Sequence, residues 1–205
     1  MPNMNVHKIV NEILQSCTYV ISAKDSNLAF VVDCGDIEPL RTYLRCEKKK
    51  VIGVILTHAH FDHIYGLQDL MVDYPHLQVY AGEETIKGLA DPDFNMSYLY
   101  DEDFILELKP EQCHVLEDGE NFDVLGINSK AFATPGHDMD CMTFVVGDAI
   151  FTGDSYNPVS PVFCKWSRSD EAKAKENENL IKELIDKNSY EVYPGHLIDH
   201  DSNKR

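Results

Sequence analysis

The sequence predicts an α/β (α+β) fold in which two β-sheets pack face to face and helices lie outside them. Three observations predict it. Strand-length apolar runs bounded by turn residues recur along the whole chain. Segments of helical period punctuate these runs instead of following one another as a bundle would require. A length of 205 residues, 43% of them hydrophobic, suits one core, so residues 1–205 are expected to form a single domain.

In chain order, CTYVIS and LAFVVDCGD read as a strand pair across the turn AKDSN, whose Asp25, Ser26 and Asn27 are turn formers. IEPLRTYLRCEKKK is helical, with Leu40, Tyr43 and Leu44 on one face. VIGVILTH is continuously apolar at its core, which predicts a strand buried on both faces. IYGLQDLMVDY is helical again and stops before Pro75, and LQVYAG returns as a strand. From residue 103 strands prevail: FILELK, CHVLE, SKAFATPGH, CMTFVVGD and AIFTGD. A last helix follows, N-capped by Asp170, with Leu180, Ile181, Leu184 and Ile185 as its apolar face. YEVYPGH supplies a short final strand.

Subtracting 35 acids from 18 bases leaves a formal charge of −17. Phosphate contacts require a basic surface, so nucleic-acid and anionic-membrane partners are not expected. No run approaches the ~20 apolar residues that cross a bilayer. The opening MPNMNVHKIVNEILQS lacks the apolar centre of a signal peptide, so a cytoplasmic location is expected. Six cysteines are scattered without a CxxC pair and read as small reduced hydrophobes, not as a disulfide frame or a zinc-thiolate site. Lys48, Lys49 and Lys50 read as a solvated helix end at the negative pole of the helix dipole.

The stretch ILTHAHFDHIYGL places three histidines and an aspartate within six positions, 58 to 63. Imidazole is the commonest metal ligand and the usual proton carrier near neutrality. In an extended segment residues i and i+2 share a side, so His58, His60 and Asp62 are expected to face one way past VIGVIL, with His63 pointing elsewhere at the turn. That suits two adjacent metals: His58 and His60 for one, Asp62 and His63 for the other. Two ligands are too few for zinc, which takes about four donors. Further candidates end strands: His137 in ATPGHD, Asp154 in IFTGDS and His196 in VYPGHL, each preceded by a glycine that lets the backbone turn sharply. Asp154, with two oxygens, can bridge two metals. Asp33 in VVDCGD reads as a supporting carboxylate behind an imidazole or as a turn residue. His7, His76, His114 and His200 lack ligand-like partners and read as surface residues.

Together, HAHFDH and the later His, Asp and His at separate strand ends resemble the signature of the metallo-β-lactamase superfamily, over essentially the whole chain. The two PGH tripeptides and the GD resemble its thioester-hydrolase branch, glyoxalase II and the single-domain relatives of that enzyme. The resemblance implies a four-layer αββα sandwich of two mixed sheets with the site along one edge. It implies that His58, His60 and His137 hold one metal, that Asp62, His63 and His196 hold a second, and that Asp154 lies between them. Two divalent ions are implied, Zn2+ first, although the family also contains iron and manganese enzymes; imidazole and carboxylate suit all three.

Two such metals, ~3.5–4 Å apart, lower the pKa of a water between them toward neutrality. The hydroxide attacks an acyl carbon whose carbonyl a metal polarises. Asp62 is the catalytic candidate, orienting the hydroxide, accepting its proton and passing it to the leaving group. A thiolate leaves with least help, because thiols are acidic compared with alcohols. Hydrolysis of a thioester or related ester-like bond in a small anionic molecule is therefore the expected reaction.

In the irregular stretch SYNPVSPVFCKWSRSD, Lys165 and Arg168 are candidates to bind carboxylates of a glutathione-like thiol, and Trp166 to cover the scissile end; a solvated loop is the alternative. Tyr156, two residues after Asp154, could assist a lactone carbonyl. Three other readings stay open: a lactonase or β-lactamase-like hydrolase, a mononuclear-iron persulfide dioxygenase using the first site alone, and a non-catalytic binding relative. Retention of His63 and His196 argues against the dioxygenase, and the full set of seven ligands against the binding module. Relatives often carry Thr where this chain has Asp138, and a GRTD-like segment nearer the GD than SRSD stands here. Larger glyoxalase II enzymes have an added helical domain, whereas this chain ends soon after His196.

Overall fold

A computed structural model describes residues 4–23, 25–101 and 103–197. One sheet runs in the order β1 (Met4–Val10), β2 (Cys17–Ala23), β3 (Leu28–Val32), β4 (Lys50–Ile55), β5 (Gln78–Ala81), β6 (Cys113–Val115). The first three strands pair antiparallel and β3 to β6 pair parallel. The other sheet runs β7 (Asn121–Val124), β8 (Ile127–Ala133), β9 (Met142–Val146), β10 (Ala149–Gly153), β11 (Glu191–Pro194). Its strands are antiparallel except for the parallel pair β10–β11. Both sheets are thus mixed.

Alternation along each strand builds the layers. Tyr19, Ile21, Phe30, Val32 and Ile55 point from the first sheet into a core shared with Val124, Ala131, Phe144, Val146 and Phe151 of the second. Their neighbours Val20, Val31 and Val54 point the other way. There they meet Leu40 and Leu44 of α1 (Ile37–Cys46) and Leu67 and Leu70 of α3 (Leu67–Asp73). On the far side, Val145 and Ile150 pack on Ile181 of α5 (Glu171–Asn188). Four layers result, αββα. The Asp170 carboxylate caps α5 by accepting from Ala172 N and Lys173 N, both at 3.0 Å. Among the described residues no helix is long and apolar enough to cross a membrane. All six cysteines are unpaired, and Cys17, Cys34 and Cys141 are buried.

Several elements differ from the sequence expectation. FILELK is not a strand: Phe104, Leu106 and Leu108 pack onto the helix-covered core, but no ladder forms, and Leu106 N donates to Leu89 O at 2.8 Å. The alternation there reflects burial without sheet pairing. The helix expected from Ile64 to Tyr74 is broken into α2 (Phe61–Ile64) and α3, because the loop after β3 docks at the break, with Gly66 N donating to Cys34 O at 3.0 Å. Edge strands β1 and β7 carry too many polar residues to stand out as apolar runs. The short helix α4 (Glu83–Gly88) was likewise unmarked. The lysine run does not end the first helix, which stops at Cys46: Lys49 Nζ donates to Ala23 O and Ser26 O, and Lys50 begins β4. His7 stacks on Tyr43 and His114 on Tyr80, while His200 lies outside the described residues.

Candidate metal centre

Strands β3 and β4 run parallel, as do β10 and β11, and β8 runs with β10 because antiparallel β9 separates them. Their C-terminal ends therefore gather at one edge of the sandwich. Asp33 follows β3, His58 and His60 follow β4, and His137 lies in the loop after β8. Asp154 follows β10 and His196 follows β11. Asp62 does not reach the cluster by strand alternation. Phe61 opens α2, and the helical turn carries Asp62 Oδ2 to 3.2 Å from His196 Nε2.

All seven residues singled out from the sequence come together here, six of them buried and Asp154 with only 6% of its side chain exposed. Ligand-type atoms of His58, His60 and His137 lie within 4.8 Å of one another, as do those of His58, His63 and Asp154 and those of Asp62, His63 and His196. Asp154 touches both sides: Oδ2 is 3.3 Å from His137 Nε2 and from His196 Nε2, and Oδ1 is 3.5 Å from His63 Nε2. Glycine is required before it and before His196. Gly153 has φ +47°, and a Cβ on Gly195 would overlap Asp154 Oδ1.

The outer nitrogen of each imidazole fixes what the inner one offers. His63 Nδ1 donates to Asp33 Oδ2 at 2.8 Å, His196 Nδ1 to Leu14 O at 2.9 Å, and His137 Nδ1 to Phe163 O at 2.7 Å. His60 Nε2 donates to Asp138 Oδ2 at 2.8 Å. Those partners only accept, so these nitrogens carry the protons. His58 Nδ1 faces Thr57 Oγ1 at 3.0 Å, and that hydroxyl gives its own proton to Asp33 Oδ2 at 2.8 Å, so it accepts from His58. The five inner nitrogens are left with lone pairs. His60 Nδ1 faces His137 Nε2 at 3.1 Å, His63 Nε2 faces His196 Nε2 at 3.1 Å, and His58 Nε2 is buried without a hydrogen-bond partner.

Lone pairs so placed repel unless a positive charge lies among them. Protons can supply it: burial pushes His63 and His196 down, but Asp62 and Asp154 outweigh this and raise them to about 9 and about 11. His137, where burial dominates, falls to about 4, and His58 is also held well below the usual range by burial. Burial alone would raise the Asp62 carboxyl, yet His63 and His196 hold it at about 2. Two carboxylates amid five inward-facing imidazole nitrogens, of which those of His63 and His196 carry protons that a cation would displace, are a donor set for divalent cations such as zinc.

This arrangement agrees with a family model described as the Metallo-beta-lactamase superfamily, which matches residues 11–196. The chain belongs to that superfamily. A probable metallo-hydrolase of Streptococcus pyogenes serotype M6 is 26% identical over 207 residues, spanning 94% of this chain and 84% of that protein. A hydroxyacylglutathione hydrolase of Pseudoalteromonas translucida is 26% identical over 149 residues, covering 72% of this chain and 49% of the relative. The chain thus spans about half the length of that hydrolase. Among solved structures, the B3 metallo-beta-lactamase BLEG-1 superposes with a TM-score of 0.82 at 25% identity, covering 95% of this chain and 92% of that one.

Around this superfamily site the remaining candidates separate. Lys165 and Trp166 line the cavity beside the cluster. Arg168 does not reach it as a free cation: it pairs with Asp138, and its Nη2 donates to Phe94 O. Tyr156 packs instead against the Ile150–Ile181 cluster under α5. Residues that the sequence reading missed include Asp140, whose buried Oδ2 accepts from Ala59 N at 2.8 Å and Thr85 Oγ1 at 3.1 Å and so fixes the link between His58 and His60. Its spacing from His137 was a visible signal, but its partners are 55 and 81 residues away.

Proposed function

We propose that this member of the superfamily is a dinuclear-metal hydrolase of thioesters or related esters, acting on small molecules in the cytoplasm. In this reading His58, His60 and His137 would hold one divalent ion and Asp62, His63 and His196 the other, with Asp154 available to both and zinc the expected metal. The observation that carries it is the set of five inward-facing imidazole nitrogens gathered around the carboxylates of Asp62 and Asp154. Bound there, the ions supply a Lewis acid for the acyl carbonyl and acidify a water for attack near neutral pH. The likeness to a hydroxyacylglutathione hydrolase supports the thioester as the bond cleaved.

The protein's own residues do the positioning. Asp33 orients His63 directly and His58 through Thr57, so one carboxylate aligns a ligand from each group. Ser16 Oγ donates to Asp62 O at 2.6 Å and fixes the turn from which the Asp62 carboxylate faces the cluster. Ionised at neutral pH, Asp62 accepts the proton of the attacking water and returns it to the leaving group. A thiolate needs that return least.

The test is a panel of thioesters, oxygen esters, lactones and β-lactams offered to metal-loaded protein, before and after chelation. Thioesters should show the highest kcat/KM, with activity lost on chelation and restored by zinc. Turnover of only lactones or β-lactams would move the assignment to those classes. Iron at one equivalent with oxygen consumption on a persulfide would replace it with a dioxygenase.

A further inference from the structure

The cavity that opens over the metal-ligand cluster is walled, away from the ligands themselves, mainly by apolar and aromatic side chains. It encloses about 310 Å³. Its walls come from four separate segments: Leu14 from the β1–β2 loop, Phe61 from α2, Leu99 and Tyr100 from the stretch after α4, and Phe163 and Trp166 from the loop after β10. Phe61 and Tyr100 pack with centroids 4.5 Å apart, and Phe163 and Trp166 at 5.3 Å.

Several of these side chains are open to solvent beside a buried polar cluster. Leu14 is 44% exposed, Leu99 53% and Trp166 37%. Exposed apolar groups gathered on one concavity mark a binding surface, whereas scattered ones mean nothing. Among the described residues, Lys165 is the one lysine or arginine that lines the cavity, with its Nζ 5.5 Å from the Phe163 ring centroid. Arg168, the other cation of that loop, has its guanidinium engaged by Asp138 and by Phe94 O. A formal charge of −17 adds no long-range attraction for anions.

We propose that the substrate presents an apolar acyl or aryl group to this cavity and carries at most one carboxylate, which Lys165 receives. A glutathione thioester, with two carboxylates on its peptide, is the wrong class. Leu14, Phe61, Leu99, Tyr100, Phe163 and Trp166 then determine specificity by covering the apolar group as water leaves it. The inference rests on the hydrolase reading for its chemistry, in which water cleaves the acyl C–S or C–O bond to give an apolar acid and a thiol or alcohol. It does not rest on that reading for binding.

Trp166 is the only tryptophan in the chain, which provides a probe of occupancy independent of turnover. Metal-loaded protein is titrated with octanamide and with acetamide while Trp166 emission is followed. Thioesters of octanoate and of acetate are then compared on two thiols, N-acetylcysteamine and glutathione. Octanamide should bind at least about tenfold more tightly than acetamide, the ratio expected if only two of its extra methylenes are buried. The octanoyl thioester of N-acetylcysteamine should exceed the acetyl one in kcat/KM by a similar factor, and Leu99→Ser, a substitution at an exposed site, should shrink both ratios. Equal binding of the two amides overturns the proposal, as does higher kcat/KM for the glutathione thioesters. Tight octanamide binding with no thioester cleaved would support the apolar subsite while removing the thioester reading.

Discussion

Arg168 and Asp138 form a forked pair, Nε to Oδ1 at 2.9 Å and Nη2 to Oδ2 at 2.6 Å, and the same Oδ2 accepts the His60 Nε2 proton. An arginine on the loop after β10 thereby sets the orientation of an imidazole after β4. Burial would raise Asp138, but hydrogen bonds from His60 and Arg168 hold it at about 2. Asp138→Ala removes the acceptor behind His60 and should weaken metal binding about 10–100-fold, measured by competition with a chelating dye. Arg168→Ala leaves a buried carboxylate with one partner fewer and should cost about 2 kcal/mol in denaturant unfolding, the buried-pair value discounted for the partly exposed arginine. Arg168→Lys should not restore it, because an ammonium lacks the fork.

Asp154 and Lys165 should fail in different ways. Asp154→Ala removes the carboxylate that touches His63, His137 and His196, so it should lower metal content and kcat together. Lys165→Ala should leave metal content intact and mainly raise KM. Elemental analysis alongside steady-state kinetics separates the two. A silent Asp154→Ala with an inactive Lys165→Ala would misplace the site.

Asp62→Asn keeps the shape and one oxygen donor but removes both charge and basicity. Loss of a positioned base costs about 10²–10⁴-fold in rate. The loss should be larger on an oxygen ester than on the matched thioester, with metal content checked in each sample. Equal losses at full occupancy would remove proton return to the leaving group from the account.

Asp140 gives a pH signature. Burial is the main cause that raises its carboxyl to about 6, with Asp138 adding and His60 and the bonds from Ala59 and Thr85 opposing. A raised folded-state value means a contribution to stability that is whole below the unfolded carboxyl value of about 4 and lost as pH rises through 6. For a group this buried the loss is on the order of 3 kcal/mol. Asp140→Asn keeps an acceptor for Ala59 N and cannot ionise. In metal-free protein the wild type should lose stability relative to Asp140→Asn between pH 4 and 7.5. Parallel urea midpoints across that range would contradict the burial argument.

The sequence showed most of this where chemistry is concentrated locally. His58, His60, Asp62 and His63 lie within one short motif, and glycines mark the strand ends that carry His137, Asp154 and His196. Strand-length apolar runs at β2, β3, β4, β9 and β10 made the sheets legible. What stayed hidden depends on the path of the chain. Leu14 O and Phe163 O hold two imidazoles through backbone carbonyls, which no residue type announces. Arg168 reads as a substrate cation until Asp138, 30 residues earlier, is seen beneath it. Tyr156 stands two residues from Asp154 in sequence but turns under α5. FILELK alternates correctly for burial and still pairs with no strand.

Metal stoichiometry tests the central claim most directly. Protein loaded with zinc and freed of excess should contain two equivalents per chain, with thioester hydrolysis rising in proportion to the second equivalent and vanishing on chelation. One tightly held equivalent after full repletion, with activity already complete, would contradict a two-metal site built from His58, His60, Asp62, His63, His137, Asp154 and His196.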